Sequence, residues 1–195
     1  MKKHILEVPF LEQMPELPRG CEVTSLSMLL QHAGINVDKM QLAEDIIKVP
    51  FFKNDLNGHL NDGFVGDMYS FETDGLGVYL PPIQKLAESY LPQRILPLSG
   101  CKIDDIFKSM MEGYPVWVIT NDTFDLLDAD QFQTWNTRLG ELKITYRMHS
   151  VVVVGFDKND IYVHDPLYHK PARAISRERF EKAWIQMGRQ ALTYR

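Results

Sequence analysis

Apolar residues recur three and four positions apart through most of the first half of the chain, which is the spacing of amphipathic helices. Four such amphipathic stretches are bounded by residues that cap or break helices. Asp38 precedes the second stretch, for example, and Gly113 follows the fourth. Pro81 and Pro82 are compatible with the first turn of a helix, and they begin the third stretch. We therefore predict four helices, at 21–33, 39–49, 81–90 and 103–112.

The period changes after the fourth helix. Short runs rich in β-branched and aromatic residues predict strands at 115–120, 142–147, 149–156 and 161–165. The last two runs are separated by the turn residues DKND, and we expect them to form a hairpin. A final helix is predicted from about Ser176. Helices in front and antiparallel strands behind indicate an α+β fold in two layers.

The segment 51–79 contains five glycines and shows little periodicity. Long glycine-rich stretches inside a compact domain tend to be functional loops, so we expect this segment to form one wall of a cleft. The length of the chain is typical of one domain, and we expect residues 1–195 to form a single one.

Composition narrows the range of partners. Hydrophobic residues make up 45% and charged residues 24% of the chain, and the net charge is −5. Scattered basic residues and a net negative charge argue against nucleic acid as a partner. No apolar run approaches the ~18 residues that a membrane span needs. Glu7 and Pro9 interrupt any signal-peptide core, so a cytoplasmic location is the default expectation, and secretion the alternative if a leader was omitted.

Cys21 is the residue that most needs an explanation. It follows a Pro-Arg-Gly turn in "LPRGCEVTSLSMLL" and opens the first predicted helix. Unpaired backbone N–H groups at a helix N-terminus favour a thiolate and can also hold an oxyanion. We therefore expect Cys21 to be a nucleophile with a lowered pKa. Cys101, the other cysteine, is interpreted as structural.

A cysteine nucleophile needs a histidine fixed beside it. Of the six histidines, His149 stands apart because it opens the apolar strand "HSVVVVGF". In the predicted hairpin, Asp165 would lie opposite Val152, about three residues from His149, and a bulge would shorten that gap. A carboxylate there would orient the imidazole.

The oxyanion of an acyl-transfer reaction needs hydrogen-bond donors. The backbone N–H of Cys21 is one candidate. Gln13 is the only Gln or Asn before Cys21, and its side-chain amide is a natural second donor.

A metal site is the rival chemistry, because Cys21, His149, His164, Asp165 and His169 could all bind zinc. Adjacent residues on a strand point to opposite faces, which makes it difficult for His164 and Asp165 to share one ion. Neither HExxH nor CxxC spacing is present. The sequence therefore predicts no metal and no cofactor.

Five motifs of the chain resemble those of a known family. The motifs "VPFLEQ…LPRGCEVTSLSMLL", "GDMY", "GVYLPPI", "GYPVWV" and "MHSVVVVGFD…IYVHDPL" occur in that order. They look like those of stand-alone bacterial cysteine peptidases of the papain-like superfamily, related to the double-glycine leader peptidases of bacteriocin exporters.

The resemblance implies a papain-like α+β fold in which the helix that carries the nucleophile packs on an antiparallel sheet. It implies Cys21 as nucleophile, His149 as base, Asp165 as the group that orients it and Gln13 as oxyanion donor. The resemblance also implies a peptide or peptide-like substrate. These 195 residues show no transporter motif, so we do not expect the double-glycine leader to carry over as the substrate.

The sequence leaves two alternatives open. The same triad could serve acyl transfer, or an amidase that acts on a non-protein amide. The chain could also be a non-catalytic module that keeps a peptide groove with a degenerate site. A Cys21 that behaves as a buried neutral thiol would favour the second of these.

Overall fold

The structure, a computed structural model, describes residues 3–195. Five α-helices lie within them: α1 (Cys21–His32), α2 (Lys39–Asp45), α3 (Leu80–Tyr90), α4 (Ile103–Met111) and α5 (Arg177–Gln186). The strands in the same residues are β1 (His4–Ile5), β2 (Lys48–Val49), β3 (Phe52–Lys53), β4 (Leu56–Asn57), β5 (Phe64–Val65), β6 (Ile95–Pro97), β7 (Val116–Asn121), β8 (Gln133–Thr137), β9 (Gly140–Ile144), β10 (Met148–Phe156), β11 (Asp160–His164), β12 (Arg173–Ser176) and β13 (Ala191–Tyr194).

The predicted helices are all present. Helix α1 begins at Cys21, and α2 is capped by Asp38, whose Oδ1 accepts a hydrogen bond from the backbone N–H of Gln41 at 2.9 Å. Helix α2 ends at Asp45, earlier than predicted, because Ile46 adopts an extended backbone with ψ of 133°. The apolar residues that follow belong to β2 and its surroundings.

Seven strands form the main sheet, in the order β12-β11-β10-β7-β13-β6, with β1 paired to the end of β10. The pairings in this sheet are antiparallel. Strands β12 and β13 were not predicted, since each has only four residues and neither shows a full alternating pattern. They nevertheless extend the sheet beyond β11 and β7.

Helices cover both faces of the main sheet, so the prediction of two layers was wrong. Trp117 and Ile119 of β7 belong to the core formed with α1, α2 and α3, whereas Val116 and Val118 belong to the core formed with α4 and α5. All six residues of β7 are buried. A strand that is apolar at almost every position requires cover on both sides, and that pattern was visible in the sequence.

The segment 51–79 contains short strands as well as loops. Strands β3 and β4 join β8 and β9 in a second, four-stranded sheet, and β5 pairs with β2 in parallel. Within residues 3–195, no helix combines the length and the apolar character needed to cross a bilayer.

Candidate active site

The first turn of α1 lies beside the first residues of β10. Ser25 Oγ donates a hydrogen bond to the backbone oxygen of Ser150 at 3.1 Å, which ties the helix to the strand one residue after His149. Gly20 precedes the helix in close contact with Leu17, and a Cβ on Gly20 would lie 2.5 Å from that side chain. The chain can therefore turn tightly into α1, and Cys21 is 93% buried at its start, with 7% of its surface exposed.

His149 and Asp165 meet through the hairpin of β10 and β11. The register pairs Val152 with His164, because a bulge between Val153 and Gly155 moves β11 by one residue relative to the simple hairpin. Asp165 is thereby brought one residue closer to His149 than the unbulged register would place it. Nε2 of His149 lies 2.7 Å from Oδ1 of Asp165, and both side chains are buried.

Asp165 has two further partners. The backbone N–H of Leu167 donates to Oδ1 at 3.0 Å, and Nη1 of Arg173 donates to Oδ2 at 2.7 Å. Burial opposes ionisation of this carboxyl, but His149, Leu167 and Arg173 together outweigh it and lower the pKa of Asp165 to about 2. Asp165 is therefore a carboxylate throughout the physiological range.

Arg173 was not identified from the sequence. It lies on β12, and its guanidinium sits 5.0 Å from the ring centre of Phe124 and 4.8 Å from that of Tyr168. A predicted strand at 173–176 beside β11 would have indicated Arg173, but four residues are too few to show a period.

Gln13 is buried beside the turn that leads into α1. Its Nε2 donates to the backbone oxygens of Leu17 at 3.1 Å and Pro18 at 2.8 Å, and its own backbone N–H donates to Pro166. Its Oε1 is buried without a hydrogen-bond partner among residues 3–195. The amide is thus fixed close to Cys21, with both N–H groups engaged by the turn.

One cleft of about 330 Å³ brings these groups together. Gln13, Cys21 and His149 line it, and Asp165 lies behind His149. The rest of the lining is largely apolar, with some charged and glycine positions: Pro18, Arg19, Phe71, Gly75, Leu76, Asp122, Tyr146, Met148 and Leu167.

Arg19 attaches the 67–73 loop to the turn before Cys21. Its Nη1 donates to the backbone oxygens of Asp67 at 3.2 Å and Thr73 at 2.9 Å, and also to that of Ser70. The guanidinium lies 5.0 Å from the ring centre of Phe71. These contacts place the exposed Phe71 ring at the edge of the cleft.

Glu22 is a site residue that the sequence did not reveal. The Cys21 thiol donates to its Oε2 at 3.3 Å, and the backbone N–H of Val78 donates to its Oε1 at 3.0 Å. Only 1% of its surface is exposed. Burial raises the pKa of Glu22 to about 7, although Val78 and His149 favour the ionised form. An acidic residue in the first turn of a helix is so common that its presence carried no signal.

The expectation of a lowered pKa for Cys21 was wrong for this arrangement. Burial raises the pKa of the thiol well above its usual value, and the adjacent Glu22 carboxylate raises it further. The backbone N–H of Ser150 acts in the opposite direction but is the weaker influence. The helix N-terminus is therefore outweighed by desolvation and by a like charge.

The other candidate residues lie apart from this cleft or serve the backbone. His164 bonds the backbone oxygen of Val8 through Nε2 at 2.9 Å and accepts the Ala172 N–H at 3.1 Å. Cys101 is half-buried just before α4. Across the described part of the chain, no three His, Cys, Asp or Glu side chains are placed to hold one metal ion.

A helix that presents a cysteine to a histidine-bearing antiparallel sheet defines a papain-like α+β fold. The chain belongs to the Peptidase_C39 like family, whose sequence profile matches residues 5–192. This membership supports the class of cysteine peptidases. The family resemblance and the fold class predicted from the sequence are both confirmed.

Two relatives illustrate the match. The chain is 45% identical to the uncharacterized protein YvpB of Bacillus subtilis (strain 168) over 190 residues, which are 96% of this chain and 74% of YvpB. It is 49% identical to a candidate C39-like peptidase from Bacillus anthracis, whose crystal structure superposes with a TM-score of 0.98 over 100% of this chain and 98% of that one.

A third protein, compared by its solved structure, shares the fold at low identity. It is a double glycine motif protease from an AMS/PCAT transporter, solved in complex with the leader peptide. The TM-score is 0.50 and the identity 17%, with 100% of this chain and 99% of the other covered.

Proposed function

We propose that the protein hydrolyses a peptide or amide bond, with Cys21 as nucleophile, His149 as general base and acid, and Asp165 as the residue that orients His149. The observation that carries this proposal is the 2.7 Å contact between His149 Nε2 and Asp165 Oδ1, behind a cleft that both Cys21 and His149 line. Because Asp165 occupies Nε2, the other ring nitrogen, Nδ1, is left to exchange a proton with the thiol.

The reaction proceeds in two halves. His149 Nδ1 takes the proton from Cys21 Sγ, and the thiolate attacks the substrate carbonyl to form a tetrahedral oxyanion. The carbon–nitrogen bond breaks as His149 returns the proton to the leaving amine, which leaves a thioester on Cys21. Water then attacks the thioester after losing a proton to His149, and the acid product leaves as the thiol is restored.

The Cys21 backbone N–H and the Gln13 side-chain amide are the proposed oxyanion donors. The position of Gln13 in the cleft supports this role. Its Nε2 has to exchange a bond to the turn, at Leu17 or Pro18, for one to the substrate oxygen. The exchange keeps the number of hydrogen bonds at the amide constant.

The proposed substrate is a peptide-like chain with an apolar side chain near the scissile bond. The supporting observation is the cluster of exposed apolar side chains at the cleft, from Phe71, Tyr146 and Leu167. The leader peptide bound by the distant transporter protease supports the class of substrate, not its sequence. We further propose that residues 1–195 act as one peptidase domain, with 51–79 as a wall of the cleft.

Cleavage of a fluorescence-quenched peptide library tests the proposal. We expect the wild type and Cys101→Ala to cleave the same peptides, Cys21→Ala to cleave none, and His149→Ala to lose at least ~100-fold in kcat/KM. Acid-quenched intact-mass spectrometry should detect the acyl group on the wild type and on Cys101→Ala, and none on Cys21→Ala. Acyl transfer to an added amine in place of hydrolysis would indicate the transferase alternative. Peptide binding that survives Cys21→Ala without any cleavage by the wild type would indicate a binding module.

A further inference from the structure

Hydrogen bonds to both carboxyl oxygens, and the space left by a glycine, hold the Glu22 carboxyl group against Cys21. Oε1 takes the backbone N–H of Val78, Oε2 takes the Cys21 thiol, and the Glu22 backbone oxygen accepts the indole N–H of Trp117 at 3.0 Å. A Cβ at Gly77 would collide with Oε1 of Glu22, so the glycine leaves room for the carboxyl. The mechanism proposed above makes no use of this group.

Few charges bear on Glu22. On its own helix the titratable neighbour is Cys21, and from β10 it is His149. The Gly77–Val78 segment and β7 contribute an N–H and an indole, neither of which titrates. Asp165 lies beyond His149 and also acts on Cys21. Arg19, the nearest basic residue in sequence, is turned to backbone oxygens of the 67–73 loop. The Glu22 carboxyl therefore acts on the Cys21 thiol at hydrogen-bond distance, whereas its interaction with His149 is only that of a nearby charge.

We propose that Glu22 is the proton gate of the nucleophile: its ionised form keeps the proton on Cys21, and its protonated form releases the thiolate. With Glu22 ionised, the Sγ–H bond remains intact and the thiol donates to Oε2. With Glu22 protonated, the proton of Sγ passes to His149 Nδ1, and the carboxylic O–H donates to the thiolate that is left. This inference rests on the proposed role of Cys21 as nucleophile.

The gate makes the site an acid-active one. Burial raises the pKa of Glu22 to about 7, so the carboxyl gains its proton as the pH falls through that value. A negative charge next to the thiol then disappears, and a hydrogen-bond donor to the thiolate takes its place. Reactivity of Cys21 should therefore fall, not rise, as the pH is increased from about 6 to about 8.

The test is the pH dependence of iodoacetamide alkylation at Cys21, mapped by mass spectrometry. Glu22→Gln retains an oxygen for the Val78 N–H and presents an amide donor to the thiolate in place of a charge. We expect this variant to be alkylated about tenfold faster than the wild type near pH 8 and to lose the fall in rate around neutral pH. Glu88→Gln, the same change at an exposed position on α3, should match the wild type.

A measurement on the unmodified protein covers the case in which Glu22→Gln does not fold. Infrared difference spectra should show a buried carboxylic acid that loses its proton near pH 7, with the same midpoint as the fall in alkylation. A carboxyl that titrates there while the alkylation rate stays flat would overturn the gate. So would a folded Glu22→Gln variant with an unchanged profile.

Failure of the gate can be distinguished from failure of the proposed function. If reactivity near neutral pH depends on His149, as shown by its loss in His149→Ala, and Glu22→Gln changes nothing, then Cys21 is the nucleophile and Glu22 has no part in gating it. If Cys21 reacts as an ordinary thiol in the wild type and both variants, the nucleophile proposal and the gate fail together.

Discussion

His149 and Asp165, sixteen positions apart in the chain, form a hydrogen bond of 2.7 Å between two buried side chains. The bulge in β10 sets the register that makes this contact, and Arg173 holds the second carboxylate oxygen. Asp165 thus fixes one ring nitrogen of the imidazole, and the proposed mechanism uses the other. This arrangement leads to several predictions about stability and rate.

The Asp165 network should make the protein sensitive to strong acid. A carboxyl whose pKa is lowered to about 2 stabilises the folded state at pH values above its unfolded value near 3.8, and that contribution is lost as the pH falls through about 2. The difference corresponds to about 2 kcal/mol. Urea unfolding of the wild type and Asp165→Asn between about pH 5 and 2 measures it. The variant should lack this part of the slope, and parallel curves for the two proteins would contradict the prediction.

Glu22 should affect stability with the opposite sign. Its pKa is raised to about 7, so the folded state binds the proton more tightly than the unfolded state, and stability falls as the pH rises from about 4.5 through 7. The cost above pH 7 is on the order of 3 kcal/mol. The free energy of unfolding of Glu22→Gln, compared with that of the wild type, should therefore be larger at pH 8 than at pH 5. Thermal unfolding at the two pH values measures the difference, and an equal shift at both would count against it.

Arg173 is expected to act through Asp165 and not on the substrate. Arg173→Met removes a charge-assisted hydrogen bond, which costs about 1–2 kcal/mol because a third of the arginine side chain is exposed. The turnover number kcat should fall while KM changes little, and the pKa of Asp165 should rise. Arg173→Lys should recover part of kcat. A rise in KM with kcat unchanged would mean that Arg173 contacts substrate instead.

Gln13→Ala tests the second oxyanion donor. Loss of one such donor typically lowers kcat by about 10²–10³-fold. The rate of Cys21 alkylation should be unaffected, because the thiolate displaces iodide from iodoacetamide without forming an oxyanion. Steady-state kinetics and alkylation rates on the same preparations separate the two effects. If alkylation slows in parallel with kcat, Gln13 supports the thiol or its helix and not the oxyanion.

Arg19 should control the order of the cleft wall. Arg19→Met removes the donor to the backbone oxygens of Asp67, Ser70 and Thr73, so amide hydrogen exchange in 67–75 should become faster. KM should increase because Phe71 loses its support at the cleft edge. Lys39→Met, which also removes a cation that bonds backbone oxygens near the site, is a control that should leave exchange in 67–75 unchanged.

Local pattern was sufficient for much of the fold. The helix that starts at Cys21, the cap at Asp38 and the hairpin across DKND were predictable because their signals lie within a few residues of the chain. The placement of helices on both faces was misjudged, although the apolar runs of β7 and β10 contained the information. Strand β13 was missed, because four residues are too few to show a period.

The proposed site residues were likewise predictable from the sequence only where the features that mark them are local. Cys21, His149 and Asp165 could be selected from the sequence because a helix start, a strand start and a hairpin end are local features. Glu22 and Arg173 could not, because each gains its importance from partners that lie far away in sequence: Val78 for Glu22 and Asp165 for Arg173.

By itself, the sequence determined where Cys21 stands on its helix and which strand carries His149, since periodicity and capping depend on neighbours in the chain. Only the tertiary structure decided the electrostatics of the thiol. Desolvation and the charge of Glu22 depend on how α1, the Gly77–Val78 segment and β10 pack together, and that packing reverses the direction in which the helix terminus alone would shift the pKa of Cys21.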